Sequence, residues 1–266
     1  MKNTNYPSDI TGQELKQIKP CLNIRRRSKW PLLQLVNAVF YICREGVQWR
    51  SLPRGFEVPW QTAYWYFRKW SGDGSWQAVN EQLVLVRRSR RGVSPLPHSL
   101  IIDSQTVANT PTATRHTGVD GGKRTKGRKR LLLTDSQGNL LDVRVFAAHR
   151  HDGATALQWW RETLSDAPML GRVTTISGDQ HFGGRFKHGV EAHSAVQVVV
   201  TRQLVDRTQE QHIPIHNRRW VVERTIAWQT TSRRLARDYE RTPLHAEAFC
   251  LISSIVRMIK NPVALN

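Results

Sequence analysis

Three acidic residues of this chain stand where their carboxylates could meet. Asp103 ends the apolar run 100–103, and Asp179 directly follows a second run at 176–178. Glu223 lies inside a helix-competent segment rich in arginine and tryptophan. Taken alone, each acid is more often a helix cap or an ion-pair partner. Together, three carboxylates can hold two Mg²⁺ or Mn²⁺ ions ~3.5–4 Å apart, and such a pair serves phosphoryl transfer.

The segment 218–240 decides which interpretation suits Glu223. A carboxylate flanked by arginines usually forms an ion pair, but in a very basic chain it can be a metal ligand among groups that hold phosphates. If the whole segment is one helix, five residues fall near one face at ~100° per residue: Arg219, Glu223, Thr230, Arg234 and Arg237. Asp238 and Glu240 are then expected to pair with Arg234 or Arg237 along that helix.

The charge of the chain points to a polyanionic partner. It has 40 lysines and arginines against 21 aspartates and glutamates, a formal net charge of +19. Nucleic acid is the commonest such partner, and an anionic membrane surface is the competing interpretation. Against a membrane, no apolar run approaches the ~20 residues that span a bilayer, and no apolar signal core begins the chain. Three distant cysteines indicate neither a zinc site nor a disulfide framework, which fits a reducing cytosol.

Residues 1–95 are predicted to be helical. Apolar spacing of three and four predicts helices over 30–44 and 60–70 and another after residue 75. Short helices with tight turns are compatible with a helix-turn-helix module that contacts DNA, or with a plain helical bundle. Arginines at 87, 88, 90 and 91, followed by the Gly- and Pro-containing stretch 92–97, predict a linker and a domain boundary.

Residues 96–266 alternate between strand and helix. A strong turn signal at 135–139 joins two apolar segments into a hairpin, and the element order is β-β-β-α-β-α-β-α. That order predicts an α/β (α+β) domain with a mixed sheet, as in the RNase H-like fold. The predicted strands are 99–103, 130–134, 140–147, 173–177 and 196–201; the predicted helices are 153–164, a weak helix or loop at 182–191, and one from about 217.

Further acids and a basic run complete the candidates. Asp152 is predicted to cap a helix, while Asp135 and Asp142 are expected to be turn or surface residues. The densest positive patch is the run 123–130, which we expect to lie along a DNA backbone close to the acids. Its basic members are Lys123, Arg124, Lys126, Arg128, Lys129 and Arg130.

The chain resembles the bacterial insertion-sequence transposases with a DDE catalytic domain, of the group typified by insertion sequence five. The similarity extends over nearly the whole chain, and its most specific part surrounds Glu223. The motifs that carry it are Gly46-Val47-Gln48-Trp49-Arg50-Ser51-Leu52-Pro53, Ile101-Ile102-Asp103-Ser104-Gln105, Lys126-Gly127-Arg128-Lys129-Arg130, His151-Asp152-Gly153-Ala154, Gly178-Asp179, Arg219-Trp220-Val221-Val222-Glu223-Arg224, Trp228, Arg233-Arg234-Leu235 and Asp238-Tyr239-Glu240.

The resemblance implies a function and roles for particular residues. Asp103, Asp179 and Glu223 would be the catalytic residues and the ligands of two Mg²⁺ or Mn²⁺ ions. Tyr239 would be an accessory aromatic, and arginines around Glu223 would join the basic run in binding DNA: Arg219, Arg224, Arg233 and Arg234. The partners implied are double-stranded terminal inverted repeats and target DNA, bound by a homo-oligomer in the bacterial cytoplasm.

The chain departs from the family pattern at Leu131, at His181-Phe182 and at Gln229. A transposase without catalytic activity, acting only as a DNA-binding protein, is therefore the alternative. A structure-specific nuclease of the same fold is a third possibility.

Overall fold

The structure, a computed structural model, describes residues 6–24, 28–200 and 219–261. Its N-terminal part contains helices α1 (Gly12–Ile18), α2 (Leu32–Glu45), α3 (Trp60–Gly72) and α4 (Ser75–Arg90). Thr11 and Glu14 cap α1 reciprocally, a helix that the apolar spacing does not predict. Gly46 ends α2 with φ +70°, and a Cβ at this position would lie 2.9 Å from the Cβ of Arg233. The predicted helices over 30–44 and 60–70 are confirmed within two residues.

The predicted linker begins too early. Helix α4 continues to Arg90, and the side chains of Arg87 and Arg88 are buried. Arg88 forms an ion pair with Asp135, which is itself fully buried and accepts hydrogen bonds from the backbone of Gln137 and Asn139. Asp135 is therefore the buried centre of the hairpin turn, not a surface residue. The hydrophobic core is continuous from these helices into the sheet, across the predicted boundary near residue 95.

The sheet is mixed, as predicted. Its strands are β1 (Ser99–Ala108), β2 (Gly118–Asp120), β3 (Thr125–Asp135), β4 (Leu140–Ala147), β5 (Thr175–Gly178) and β6 (Gln197–Val200). The strand order is β2-β3-β1-β5-β6, and β4 also pairs with β3. β1 is antiparallel to β3 and parallel to β5, which is parallel to β6. The helical N-terminal part and the mixed sheet together confirm the predicted α/β fold class.

Four further helices accompany the sheet: α5 (Asp152–Trp159), α6 (Arg185–Glu191), α7 (Arg219–Thr230) and α8 (Pro243–Lys260). The segment Trp160–Leu164 continues α5 as a π-helix. Helix α8 is not among the predicted helices, and its buried apolar side chains pack against α4 and β4. Residue 201, at the end of a predicted strand, and residues 217–218, at the start of a predicted helix, lie outside the described residues.

The predicted single helix over 218–240 is wrong. Helix α7 ends at Thr230, because Thr230 and Thr231 turn their hydroxyls back onto the carbonyls of Ala227 and Trp228. A short 3₁₀ turn, Arg233–Leu235, follows. The side chains of Arg219 and Arg234 therefore do not share a helix face.

Candidate active site

The sheet register places Asp103 beside Asp179. β1 and β5 run parallel, with Ile101 paired to Ser177, and each aspartate lies two residues further along its own strand direction. Neighbouring strands are ~4.8 Å apart, and residues two apart share a face. The prediction that Asp103 ends its strand is wrong, because β1 continues to Ala108 along β3. Asp103 lies just beyond the end of the parallel pairing between β1 and β5.

Glu223 reaches the same place from helix α7, which packs against β1 and β3. The three carboxylates meet at a single side chain, Arg219, one helical turn before Glu223. The Nε of Arg219 is 3.3 Å from Oε1 of Glu223 and 3.5 Å from Oδ2 of Asp103. Its Nη2 is 4.0 Å from Oδ2 of Asp179. Three acids far apart in sequence thus converge on one positive charge.

The three positions differ in their access to water. Asp103 is buried and accepts a hydrogen bond from the backbone N–H of Ser104. Burial raises the pKa of the Asp103 carboxyl, and the nearby charges of Asp179 and Glu223 raise it further. The Ser104 N–H and Arg219 lower this pKa, but less than burial raises it. The Glu223 side chain is 54% exposed, so it can change its position more easily than Asp103.

Asp179 is fixed by the turn that follows β5. Its Oδ1 accepts the backbone N–H of His181 at 2.9 Å, and its Oδ2 lies 3.1 Å from the His181 ring. Phe182 is fully buried, and Gly178 has no room for a side chain because a Cβ would lie 2.8 Å from the Phe182 ring. The departure from the family pattern at His181-Phe182 therefore leaves Asp179 in place.

The carboxylates suit divalent cations chemically, because Mg²⁺ and Mn²⁺ prefer hard oxygen ligands. As placed, however, no three His, Cys, Asp or Glu side chains of the described residues are close enough together to hold a metal ion. The guanidinium of Arg219 lies among the acids and supplies the positive charge that they need. The carboxylate oxygens are donors of the kind that a divalent cation takes, and the guanidinium of Arg219 lies between them.

Only part of the basic run is available to DNA. Lys123, Arg124 and Lys126 are exposed around the turn between β2 and β3. Lys126 is six residues along β3 from Leu132, the partner of Asp103, which corresponds to about 20 Å. The basic run was expected to lie close to the acids, but its exposed residues are about 20 Å away along the sheet.

Arg128 and Arg130 are buried, so their prediction as DNA-binding residues is wrong. The Nη1 of Arg128 lies 2.9 Å from Oδ2 of Asp238, and both side chains are inaccessible to solvent. Arg130 donates a hydrogen bond to the backbone carbonyl of Leu235. The two arginines anchor the chain after α7 onto the sheet, which no pattern within the run reveals.

Lys129 lies on the opposite face of the sheet from Asp103. It forms an ion pair with Asp152 at 2.8 Å, and Asp152 also accepts a hydrogen bond from Ser104, the residue after Asp103. Successive strand residues point to opposite faces, so Asp152 cannot join the three acids. The prediction that Asp152 caps a helix is also wrong, because the cap position of α5 is His151 and Asp152 lies in the first turn.

Arg234 and Tyr239 also lie away from the acids. Arg234 is buried, pairs with Glu240 at 2.7 Å and donates to the carbonyl of Val47, so it is not a phosphate-binding residue as predicted. Tyr239 packs against its guanidinium at 5.4 Å. Arg233, the residue before Arg234, has a side chain that is 77% exposed, and it remains a candidate for DNA contact.

Arg224 occupies a third location. Its guanidinium lies between the rings of Trp220 and Trp228, at 4.6 and 4.5 Å from their centroids. The guanidinium of Arg257 on α8 also lies over the Trp228 ring, 3.1 Å from its centroid. Arg257 is not among the predicted site residues, because α8 is not a predicted helix and only the tertiary structure brings α7 and α8 together.

Among the described residues, no helix combines the length and the apolar character needed to cross a bilayer.

Two family models match the chain. A family described as a transposase of the IS4/5 family matches residues 10–80, and the transposase DDE domain matches residues 95–259. Neither a curated protein nor a solved structure matches it. The DDE-domain match covers more than half of the 266 residues and contains Asp103, Asp179 and Glu223. The chain therefore belongs to the DDE transposases of the IS4/5 type.

Proposed function

We propose that this transposase binds the terminal inverted repeats of its insertion element, cleaves a strand at the element end, and joins the freed 3′-hydroxyl to target DNA. The observation that carries the proposal is the convergence of Asp103, Asp179 and Glu223 on one cationic position. Family membership gives the class of protein, and the convergence supports the proposed catalytic role of Asp103, Asp179 and Glu223.

In this proposal Asp103, Asp179 and Glu223 would hold two divalent cations, Mg²⁺ or Mn²⁺. When bound, such ions activate the attacking oxygen and stabilise the leaving oxygen of the phosphodiester. The chain needs no nucleophile of its own, because phosphoryl transfer depends on positioning and charge neutralisation. The domains proposed for the two tasks are residues 1–95 for binding DNA and residues 96–266 for catalysis.

The surrounding residues hold this arrangement. The Ser104 N–H fixes the orientation of the buried Asp103 carboxylate, and the His181 N–H does the same for Asp179. Glu223 is exposed on α7 and is free to complete the site when substrate arrives. Arg219 neutralises the acids in the resting protein and is then released toward the scissile phosphate.

DNA binding in this proposal uses the exposed part of the basic surface. Lys123, Arg124 and Lys126 grip a duplex about 20 Å from Asp103, and Arg233 contributes elsewhere. Joining two element ends requires at least two active sites, so we expect a homo-oligomer to form on paired ends.

The test combines a labelled inverted-repeat duplex, a target plasmid and Mg²⁺. Asp103→Asn, Asp179→Asn and Glu223→Gln should each abolish cleavage and joining while leaving duplex binding in EDTA unchanged. Asp166→Asn is the matched control, because Asp166 is an exposed acid that is not one of the three carboxylates around Arg219. Strand transfer by the Glu223→Gln protein would refute the proposal.

A DNA-binding protein without catalytic activity is the second candidate. The favouring observation is that Arg219, rather than an open space, lies among the carboxylates of the described site. This candidate predicts salt-dependent duplex binding but no metal-dependent nicking by the unmodified chain. A nuclease would instead cleave the labelled strand without forming a joined product, so one gel separates all three functions.

A further inference from the structure

A second feature of α7 lies on a different face from Glu223. Tryptophan rings and arginine guanidinium groups alternate along this face. We call the four residues the arginine–tryptophan ladder: Trp220, Arg224 and Trp228 of α7, and Arg257 of α8. The distances from guanidinium carbon to ring centroid are 4.6, 4.5 and 3.1 Å along it. At ~100° per residue, its α7 members lie about 120° around the helix from Arg219 and Glu223.

The ladder concentrates positive charge without a matching acid. Arg87 on α4, Arg224 and Arg257 form no ion pair with a carboxylate of the described residues. Burial, followed by the charges of Arg87 and Arg224, lowers the pKa of Arg257 to about 9, so it stays charged at neutral pH. Asp135, the acid near Arg87, is already bound to Arg88.

The internal hydrogen bonds of these arginines do not account for so much charge. Arg87 donates to the carbonyl of Asn261, and Arg224 donates to the carbonyl of Gln137. A neutral donor could bind either carbonyl, whereas clustered guanidinium groups repel one another and favour a bound anion. No bond of this kind to a described residue is seen for Arg257, which contacts the Trp228 ring.

The ladder is open to a large ligand. The Trp220 ring is 55% exposed, so the ladder begins at the surface. At its other end, Trp228 and Arg257 line a cavity of about 300 Å³ whose wall also carries Arg44 and Lys260. The α7 part alone is about 12 Å long, which is the axial length of three to four base pairs.

We propose that the arginine–tryptophan ladder binds the phosphate backbone of a DNA strand that continues past the acid face of α7. This inference rests on the proposed function, since it takes the strand at the active site to be DNA. Arg224 and Arg257 contact phosphates, and the exposed Trp220 ring packs on a sugar or an unpaired base. One helix then holds the reacting phosphate on one face and the adjoining backbone on another.

The experiment measures binding of a fluorescent inverted-repeat duplex by anisotropy, in EDTA and over a series of NaCl concentrations. Arg224→Gln/Arg257→Gln should weaken binding roughly tenfold or more near ~0.15 M salt and reduce the slope of log K against log salt by about two, one per lost phosphate contact. The control is Arg161→Gln/Arg172→Gln, which removes the same charge from exposed positions outside the ladder. It should leave the slope unchanged.

Equal losses in both double variants would overturn the proposal, because the effect would then be one of net charge. Unchanged affinity in the ladder variant would overturn it as well. Trp220→Ala, at an exposed position, guards against misfolding of the arginine variant; it should weaken binding, and Trp220→Phe should restore it. Binding by Trp220→Ala equal to that of the unmodified chain would refute the role of the ring.

A metal-dependent cleavage assay on the unmodified chain, run beside the binding series, separates this proposal from the proposed function. If only the ladder is wrong, metal-dependent cleavage by the unmodified chain persists while the salt slopes of the ladder and control variants coincide. If only the proposed catalysis is wrong, cleavage is absent while the slope difference between these variants remains.

Discussion

Replacing Arg128 should destabilise the fold rather than weaken DNA binding. Arg128 pairs with Asp238 at 2.9 Å, and both side chains are essentially inaccessible to solvent. The guanidinium also donates to the carbonyls of Arg115, Glu240 and Arg241. Arg128→Met therefore leaves a buried carboxylate unpaired, which costs about 3–5 kcal/mol of unfolding free energy. For a chain of this length, the melting temperature should fall by roughly 10 °C.

Urea denaturation provides the measurement, and two variants provide the controls. Lys126→Met removes an exposed charge of the same strand and should change the unfolding free energy by less than ~0.5 kcal/mol. Adding Asp238→Asn to Arg128→Met should recover about 1–3 kcal/mol, because the uncompensated charge is gone. The reasoning is refuted if Arg128→Met keeps its stability and instead loses one unit of salt slope in duplex binding.

Three further predictions concern the acids, the pH dependence and the backbone. Arg219→Gln should enlarge the rise in melting temperature that Mg²⁺ causes, because the guanidinium no longer competes for the carboxylates. Burial, aided by the charge of Glu247, raises the pKa of Asp142 to about 7. Stability from this group is full below its unfolded pKa of about 3.8 and is lost as pH rises through about 7, so Asp142→Asn should flatten the stability profile between about pH 4 and 7. Gly46→Ala should cost about 1–3 kcal/mol in urea denaturation, because φ is +70° and the new Cβ meets Arg233.

Each of these has a result that contradicts it. An equal Mg²⁺ response in Arg219→Gln and in the control Arg161→Gln would show that Arg219 does not occupy the metal position. A stability difference between the unmodified chain and Asp142→Asn that is constant from about pH 4 to 7 would show that Asp142 titrates normally. Gly46→Ala with an unchanged urea midpoint would mean that this turn tolerates a side chain.

Local patterns predict the existence of the two strands and the helix that position the three acids. The apolar run before Asp103 is continuously buried in the sheet, whereas the run before Asp179 alternates between buried and half-buried residues, and both patterns predict strands. The hairpin follows from its turn residues, and Gly138 adopts φ +81° there. What local patterns could not supply is the position of Arg219 among the acids, which depends on the packing of α7 against β1.

The basic run shows why charge alone misassigns residues. Lys126 and Arg128 lie on the same face of β3, yet one is exposed and the other fully buried. Arg128 is paired with Asp238, which is 110 residues away in sequence, and also donates to the carbonyls of Glu240 and Arg241. No pattern within the run could distinguish them.

Two errors in the helices had signals that were available. Three consecutive hydroxyl residues, 230–232, mark the end of α7, because such side chains compete for helix carbonyls. Helix α8 begins with Pro243 in its first turn and continues with apolar residues at helical spacing. Recognising both would have separated Arg234 from Glu223 and revealed the helix that carries Arg257.

The central claim is that Asp103, Asp179 and Glu223 hold the catalytic cations. Its most direct test is the anomalous scattering of Mn²⁺ in crystals of the chain bound to an inverted-repeat end. We expect Mn²⁺ between the carboxylates of these three residues, with the guanidinium of Arg219 displaced from the position where it now lies within 4.0 Å of all three. Mn²⁺ bound elsewhere, or Arg219 still in place beside an occupied site, would contradict the account.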